Sequence, residues 1–318
     1  MHAVTPDSDL CTPRSASLQG FSASGFHRIA YTEWGDPGNP HVIVCAHGLT
    51  RNGRDFDWLA RHLARDARVV CPDIVGRGDS DWLADPAQYG YPQYLADMTA
   101  LIARVTTSQV NTPAHTAASA RVDWVGTSMG GLIGMMLAAA PRTPIRRLVM
   151  NDIGPVLARE GLTRIATYAG SDPRFDSVEA FAAWLGELFR PWGAFTAALT
   201  DVQLQHLVRY SMRTFDDADG RTTFGLRYDP AIADGFRGKV FERDIELWPI
   251  WDTVEIPVLI LRGAESEILR SDTARMMCER RPTPGASTAL LEFTGIGHAP
   301  ALADADQIAA VAAFLLED

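Results

Sequence analysis

One serine in this chain sits where a nucleophile would, in Gly126-Thr127-Ser128-Met129-Gly130-Gly131. It directly follows the apolar run RVDWV and directly precedes LIGMMLAAA. A strand that turns sharply into a helix lifts such a serine above a sheet, and small neighbours keep the turn free of clashes. The turn also puts Ser128 at a helix N-terminus, where unpaired N–H groups favour developing negative charge. A glycine-rich turn that merely joins strand to helix has the same look, so the serine needs partners. A hydroxyl is a weak nucleophile without an adjacent base. His298, in the stretch FTGIGHAP (293–300), has glycines before it and Pro300 after it. That is the composition of an exposed loop from which a ring nitrogen can reach across a sheet edge. An acid to orient the imidazole is expected just past an intervening strand, and PVLILRGAESEIL offers Glu265 and Glu267.

A second constellation lies early, in the stretch VCAHGLT (44–50). His47-Gly48 after a buried strand opens a tight loop that can turn the Leu49 N–H inward. Together with the N–H of Met129 it would form an oxyanion hole. His47 itself reads as a loop-holding hydrogen-bonding residue rather than a second base. Arg51 and Asn52, just beyond, read as surface polarity or as a site for a substrate carboxylate.

These residues need a scaffold. Continuous apolar runs recur at HVIVCA (41–46), ARVVCPD (67–73), RVDWVGTS (121–128), RRLVMNDI (146–153), PVLILRG (257–263) and TALLEF (288–293). Runs without alternation suit strands covered on both faces, as in a mainly parallel sheet. Between them YPQYLADMTALIARV and the C-terminal DADQIAAVAAFLLED place apolar residues at three- and four-residue steps, the mark of amphipathic helices. Alternating strand and helix predicts an α/β sheet with helices on both faces. The block 155–248 breaks the rhythm. It is aromatic and helix-like, and it predicts an inserted helical cap, leaving 1–154 and 249–318 as the core. Thr106–Ala120 reads as a surface loop.

The 318 residues are 47% hydrophobic and 21% charged, enough for a developed core. A net charge of −10 repels phosphate backbones, so no nucleic-acid partner is expected. The cysteines, at 11, 45, 71 and 278, form no CxxC pair and read as unbridged. No metal or cofactor motif occurs. The first twenty residues lack a basic start followed by an apolar stretch, and no run of about 20 apolar residues appears, which predicts a cytoplasmic protein with no membrane partner. Oligomeric state is not legible.

Taken in order, HG (47–48), DxxGxGxS (73–80), GxSxGG (126–131), a Gly-turn acid loop and GxGHxP (295–300) resemble the α/β-hydrolase superfamily over nearly the whole chain from about residue 26. The resemblance implies a triad in the order Ser, acid, His. It sets Glu267 at the acid position, where Asp is commoner, with Asp152 at the end of the sixth strand as the competitor. It implies a small-molecule ester or related acyl substrate, cleaved through an acyl-enzyme without cofactor. Lactonases and carbon–carbon bond hydrolases share the serine triad and the helical cap, whereas non-catalytic binding proteins on this fold often lose a triad member, and this chain keeps candidates for all three. The resemblance also accounts for VGRGDSD (75–81), which contains the adhesion tripeptide Arg77-Gly78-Asp79. Its glycines and Ser80 belong to a tight family loop, with Arg77 and Asp79 at variable positions between these structural ones.

Overall fold

The computed structural model describes residues 11–107, 121–189, 199–216, 219–237, 239–280 and 286–317. In chain order the first half runs β1 (Arg14–Ser22), β2 (Gly25–Trp34), β3 (His41–Ala46), α1 (Asp57–Leu63), β4 (Arg68–Pro72), α2 (Tyr91–Thr107), β5 (Arg121–Thr127), α3 (Met129–Ala138) and β6 (Ile145–Asn151). Then come β7 (Val156–Leu157), α4 (Arg159–Tyr168), α5 (Val178–Phe189), α6 (Asp201–Ser211), β8 (Met212–Asp216), β9 (Thr222–Leu226) and β10 (Ile245–Glu246). The chain closes with α7 (Trp248–Trp251), β11 (Val258–Gly263), α8 (Ser271–Glu279), β12 (Thr288–Phe293) and α9 (Ala305–Leu316).

Eight strands form one sheet in the order β1-β2-β4-β3-β5-β6-β11-β12. β1, β2 and β4 pair antiparallel, and every neighbour from β4 to β12 is parallel. The unbroken apolar runs now have a cause. In β3, Val42 and Val44 face one core while Ile43 and Cys45 face the other. The first core is covered by α2 and α3 through Met98, Leu101, Leu132 and Ile133, the second by α1 and α9 through Leu59, Leu63, Val311 and Leu315. Each such side chain contributes roughly 1.5–3 kcal/mol by leaving water. α9 starts as its sequence directs: the Asp304 carboxylate accepts the Gln307 N–H at 2.9 Å, capping a free donor.

All six expected strands are present. β1 and β2 were not expected; β1 alternates half-buried and exposed positions along a sheet edge, with no apolar run to mark it. The block 155–248 also departs from the all-helical expectation. It holds α4, α5 and α6, but also the antiparallel hairpin β8–β9 and the short pair β7–β10. It has its own apolar cluster, built on Phe181, Leu185, Leu207, Val208, Leu226 and Tyr228. Most of the expected 106–120 loop, from residue 108, lies outside the described residues. Among the described residues no helix is long and apolar enough to cross a membrane.

Candidate active site

Ser128 stands between β5 and α3 with φ 52° and ψ −116°, a conformation closed to most side chains. Its neighbours make the turn possible by having no Cβ. A Cβ at Gly126 would stand 2.2 Å from the Gly130 carbonyl oxygen, and one at Gly130 would stand 2.0 Å from that of Ala46. The Ser128 N–H donates to the Asn151 carbonyl at 2.9 Å, and the Trp124 indole N–H donates to the Gly130 carbonyl at 2.9 Å. Strain held by such surrounding bonds is usual where a side chain must be presented.

The Ser128 hydroxyl lies 3.0 Å from His298 Nε2, and His298 Nδ1–H donates to Asp152 Oδ2 at 2.7 Å. The acid expectation is therefore corrected: the structure brings Asp152, not Glu267, to the histidine. Glu267 is about half exposed and pairs with Arg164 of α4 at 2.8 Å. The reason lies in the turn after β11. The residue that this turn points inward is Ser266, whose hydroxyl donates to Asp152 Oδ2 at 2.5 Å and accepts the N–H groups of Ile268 and Leu269. Glu267, the next residue, is thrown outward. Asp152 is fully buried, and its Oδ1 accepts the Gly263 N–H at 3.0 Å.

The loop after β3 is held from behind. His47 is fully buried; its Nδ1–H donates to the Gly48 carbonyl at 2.7 Å and its Nε2 accepts the Ile74 N–H at 2.9 Å. Burial pushes its pKa down to about 3, so the ring is neutral and both nitrogens are committed. It has no role as a second base, in keeping with the loop-holding expectation. Gly48 lies against Ser128: a Cβ there would stand 3.6 Å from Ser128 Cβ. Met129 begins α3, so its N–H has no acceptor within the helix. Among the described residues neither it nor the Leu49 N–H has a hydrogen-bond acceptor.

Arg77 is not at an indifferent position, as the sequence had suggested. It is fully buried. Its Nε–H donates to the Leu49 carbonyl at 2.8 Å, and one terminal nitrogen donates to the Val75 carbonyl at 2.7 Å and the Tyr94 hydroxyl at 3.0 Å. Its other terminal nitrogen lies 3.7 Å from Met129 Sδ. The tripeptide is thus no adhesion surface. Its loop is tied down by Asp73, whose oxygens accept the N–H groups of Gly53 and Asp79 at 2.8 Å each. Burial pushes the Asp73 carboxyl up to about 6, against those two donors.

Two cavities meet at Ser128. One, of about 310 Å³, is lined by Leu49, Tyr91, Met129, Leu132, Leu162 and Phe236 among others, and is strongly apolar. The other, of about 100 Å³, includes His298, Arg51, Asp55, Trp58, Gln203 and His206. Trp184 lines neither; it packs on Phe175 and Phe181 with ring centroids 5.4 and 6.3 Å away. Trp192 lies outside the described residues. Arg51 is not bare surface charge: its Nε and one terminal nitrogen hold Asp55 at 2.8 and 2.6 Å, and the other donates to Ser211 at 2.8 Å. The sequence reading missed Asn151 and Ser266. Asn151 Nδ2 donates to Thr127 Oγ1 at 3.0 Å and to the Pro300 carbonyl at 2.8 Å, tying the serine turn to the histidine loop. Among the described residues no group of three or more His, Cys, Asp or Glu side chains is placed to hold a metal ion.

A mostly parallel sheet with the serine turn after β5 and a histidine loop after its last strand defines an α/β hydrolase, and the chain belongs to the alpha/beta hydrolase family, whose sequence model matches residues 43–311. The 3-hydroxybutyrate-oligomer hydrolase of Cupriavidus necator is 43% identical over 302 residues, 94% of this chain and 96% of that one. Lipase LipV of Mycobacterium tuberculosis is 25% identical over 260 residues, 79% of this chain and 92% of its own. Among solved structures, an alpha/beta hydrolase from Novosphingobium aromaticivorans superposes with a TM-score of 0.74 at 34% identity, covering 95% of this chain and 98% of that one.

Proposed function

We propose that this hydrolase is a serine esterase acting through an acyl-enzyme, and that short linear oligomers of 3-hydroxybutyrate are its substrate class. The observation that carries the mechanism is the hydrogen-bonded chain from Ser128 through His298 to Asp152. His298 takes the Ser128 proton as Oγ attacks the ester carbonyl. Asp152 holds the ring in the Nδ1–H tautomer and stabilises the imidazolium. The N–H groups of Leu49 and Met129 receive the oxyanion; losing one such donor typically costs on the order of a hundredfold or more. His298 then gives its proton to the departing alkoxide. Water, deprotonated by the same ring, releases the acid and restores Ser128. The substrate class is supported by likeness along almost the full length of the Cupriavidus necator enzyme. Residues 155–248 act as the cap, since Ile165, Phe236 and Phe241 from this block line the cavities beside Ser128.

The test is hydrolysis of a 3-hydroxybutyrate trimer and of p-nitrophenyl butyrate by wild type and Ser128→Ala. Both substrates should be cleaved, the variant should lose at least about a thousandfold on each, and a fluorophosphonate should label only the wild type. A labelled or active variant would end the serine mechanism. An active wild type that ignores the trimer would end the substrate reading.

A further inference from the structure

The two cavities differ in which catalytic groups they contain, and that difference gives the site a direction. Ser128 and Leu49 line both. His298, with Ala299 and Pro300, lines only the smaller one; Met129 lines only the larger. The ester bond breaks when its alkoxide oxygen takes the proton from His298 Nε2. The alcohol half of the substrate must therefore lie on the histidine side, and the acyl half remains on Ser128. The alcohol half goes to the cavity of about 100 Å³, the acyl half to the apolar cavity of about 310 Å³.

A linear hydroxy-acid oligomer is itself directional. The acyl half of any bond leads back to the free hydroxyl, and the alcohol half leads on to the free carboxylate. The smaller cavity carries a cation, Arg51, with Asp55 on one edge of the guanidinium and Ser211 on one terminal nitrogen. A guanidinium has five N–H groups. Among the described residues three are engaged, leaving one on each terminal nitrogen for a carboxylate, the acceptor whose paired oxygens such a fork matches. The side chain is largely buried, 11% exposed, which limits screening by water.

We propose that the enzyme trims such oligomers from the carboxylate end, one unit per turnover, with Arg51 binding the carboxylate of the departing unit and the remaining oligomer held as the acyl group in the apolar cavity. This rests on the ester-hydrolase reading above and specifies its direction. Each turnover adds one water across one ester bond and yields a free hydroxy acid and an oligomer shorter by one unit with a new carboxylate.

The experiment uses a 3-hydroxybutyrate trimer carrying ¹³C in its carboxylate-terminal unit. Early in the reaction the label should appear in free monomer; label appearing first in dimer overturns the proposal. Methylating the trimer's carboxylate should lower kcat/KM by about tenfold or more, as expected for a lost charged hydrogen bond, whereas acetylating its free hydroxyl should change it by less than about threefold. Arg51→Gln should lower kcat/KM for the free acid far more than for the methyl ester, collapsing the ratio between the two, with Arg51→Lys restoring part of it. An unchanged ratio in Arg51→Gln overturns the role of Arg51, and comparing the two substrates on one protein separates this from a general loss of fold. If p-nitrophenyl butyrate is cleaved but no trimer is, the substrate reading has failed and the proposal with it.

Discussion

Asp152→Asn is the sharpest probe of the site, because the structure dictates which way the new amide must face. Oδ1 of Asp152 accepts the Gly263 N–H at 3.0 Å, so the amide oxygen of an asparagine has to occupy that position. Its NH2 group then replaces Oδ2, where it meets the Ser266 hydroxyl and His298 Nδ1. Ser266, whose oxygen already accepts the Ile268 and Leu269 N–H groups, then faces a further donor where it had an acceptor. His298 cannot keep a proton on Nδ1 against an N–H donor, so the ring moves to the Nε2–H tautomer. That tautomer offers Ser128 a donor where it needs an acceptor. In the serine protease template the corresponding change costs about ten-thousandfold in kcat, equivalent to about 5 kcal/mol of transition-state stabilisation. A loss of roughly a thousandfold to ten-thousandfold is expected here, with KM little changed. Steady-state kinetics on p-nitrophenyl butyrate would measure it, alongside a thermal melt to show that the fold persists. Glu267→Gln is the companion: it breaks a half-exposed pair with Arg164, of a kind worth about 0–1 kcal/mol, and should leave kcat within about twofold. A hundredfold loss in Glu267→Gln beside a mild Asp152→Asn would refute the assignment of the acid.

Other outcomes follow from the same geometry. His47 has its pKa lowered to about 3 in the fold, so between about pH 6.5 and 3 the unfolded chain binds more protons and stability falls as pH falls. This group contributes up to about 1.4 kcal/mol per pH unit. Asp73, raised to about 6, acts oppositely between about pH 4 and 6. The wild-type curve is their sum, and the difference between it and His47→Gln in urea titrations should show the His47 slope; parallel curves would contradict a neutral buried ring. Arg77→Met strands the Leu49 and Val75 carbonyls and should cost about 3 kcal/mol or more in unfolding free energy, with a loss below about 1 kcal/mol counting against its structural weight. Trp184→Ala should cost about 2 kcal/mol or more without altering acyl-chain preference, whereas Phe236→Ala, which opens the apolar cavity, should shift preference toward longer acyl chains. Matching chain-length profiles for these two variants would show that Phe236 does not bound the acyl group.

The central strands were legible because a strand buried on both faces needs a run of apolar residues without alternation, and β3, β4 and β11 have one in Val42–Ala46, Val69–Pro72 and Val258–Leu261. β1 escaped notice because one of its faces meets water and its sequence, RSASLQGFS, is mostly small or polar. The serine and histidine were legible from their glycine surroundings, since backbone geometry selects those glycines directly. The acid was not. Two carboxylates each followed a strand, and only the turn geometry, which sends Ser266 inward and Glu267 outward, decides between them. Arg77 was misread for a related reason: an arginine between glycines looks solvated until the three acceptors that surround it are known.

The loop that contains Arg77 does more than close the core. Gly78 N–H donates to the Arg227 carbonyl and Asp229 N–H donates to the Gly76 carbonyl, so the loop and the stretch after β9 are stitched backbone to backbone. The Tyr89 hydroxyl adds a bond to Asp229 at 2.7 Å. A segment fixed only where it leaves and rejoins the chain can swing like a flap on one edge. The block 155–248 is not such a segment: besides this stitch, Ser211 accepts from Arg51 and the Tyr210 carbonyl accepts from the Asn52 amide, so it is tied to the core at several points along its length. Wholesale lifting would have to break that stitch. Any motion that keeps these bonds is confined to side chains and to the spans of chain between the ties.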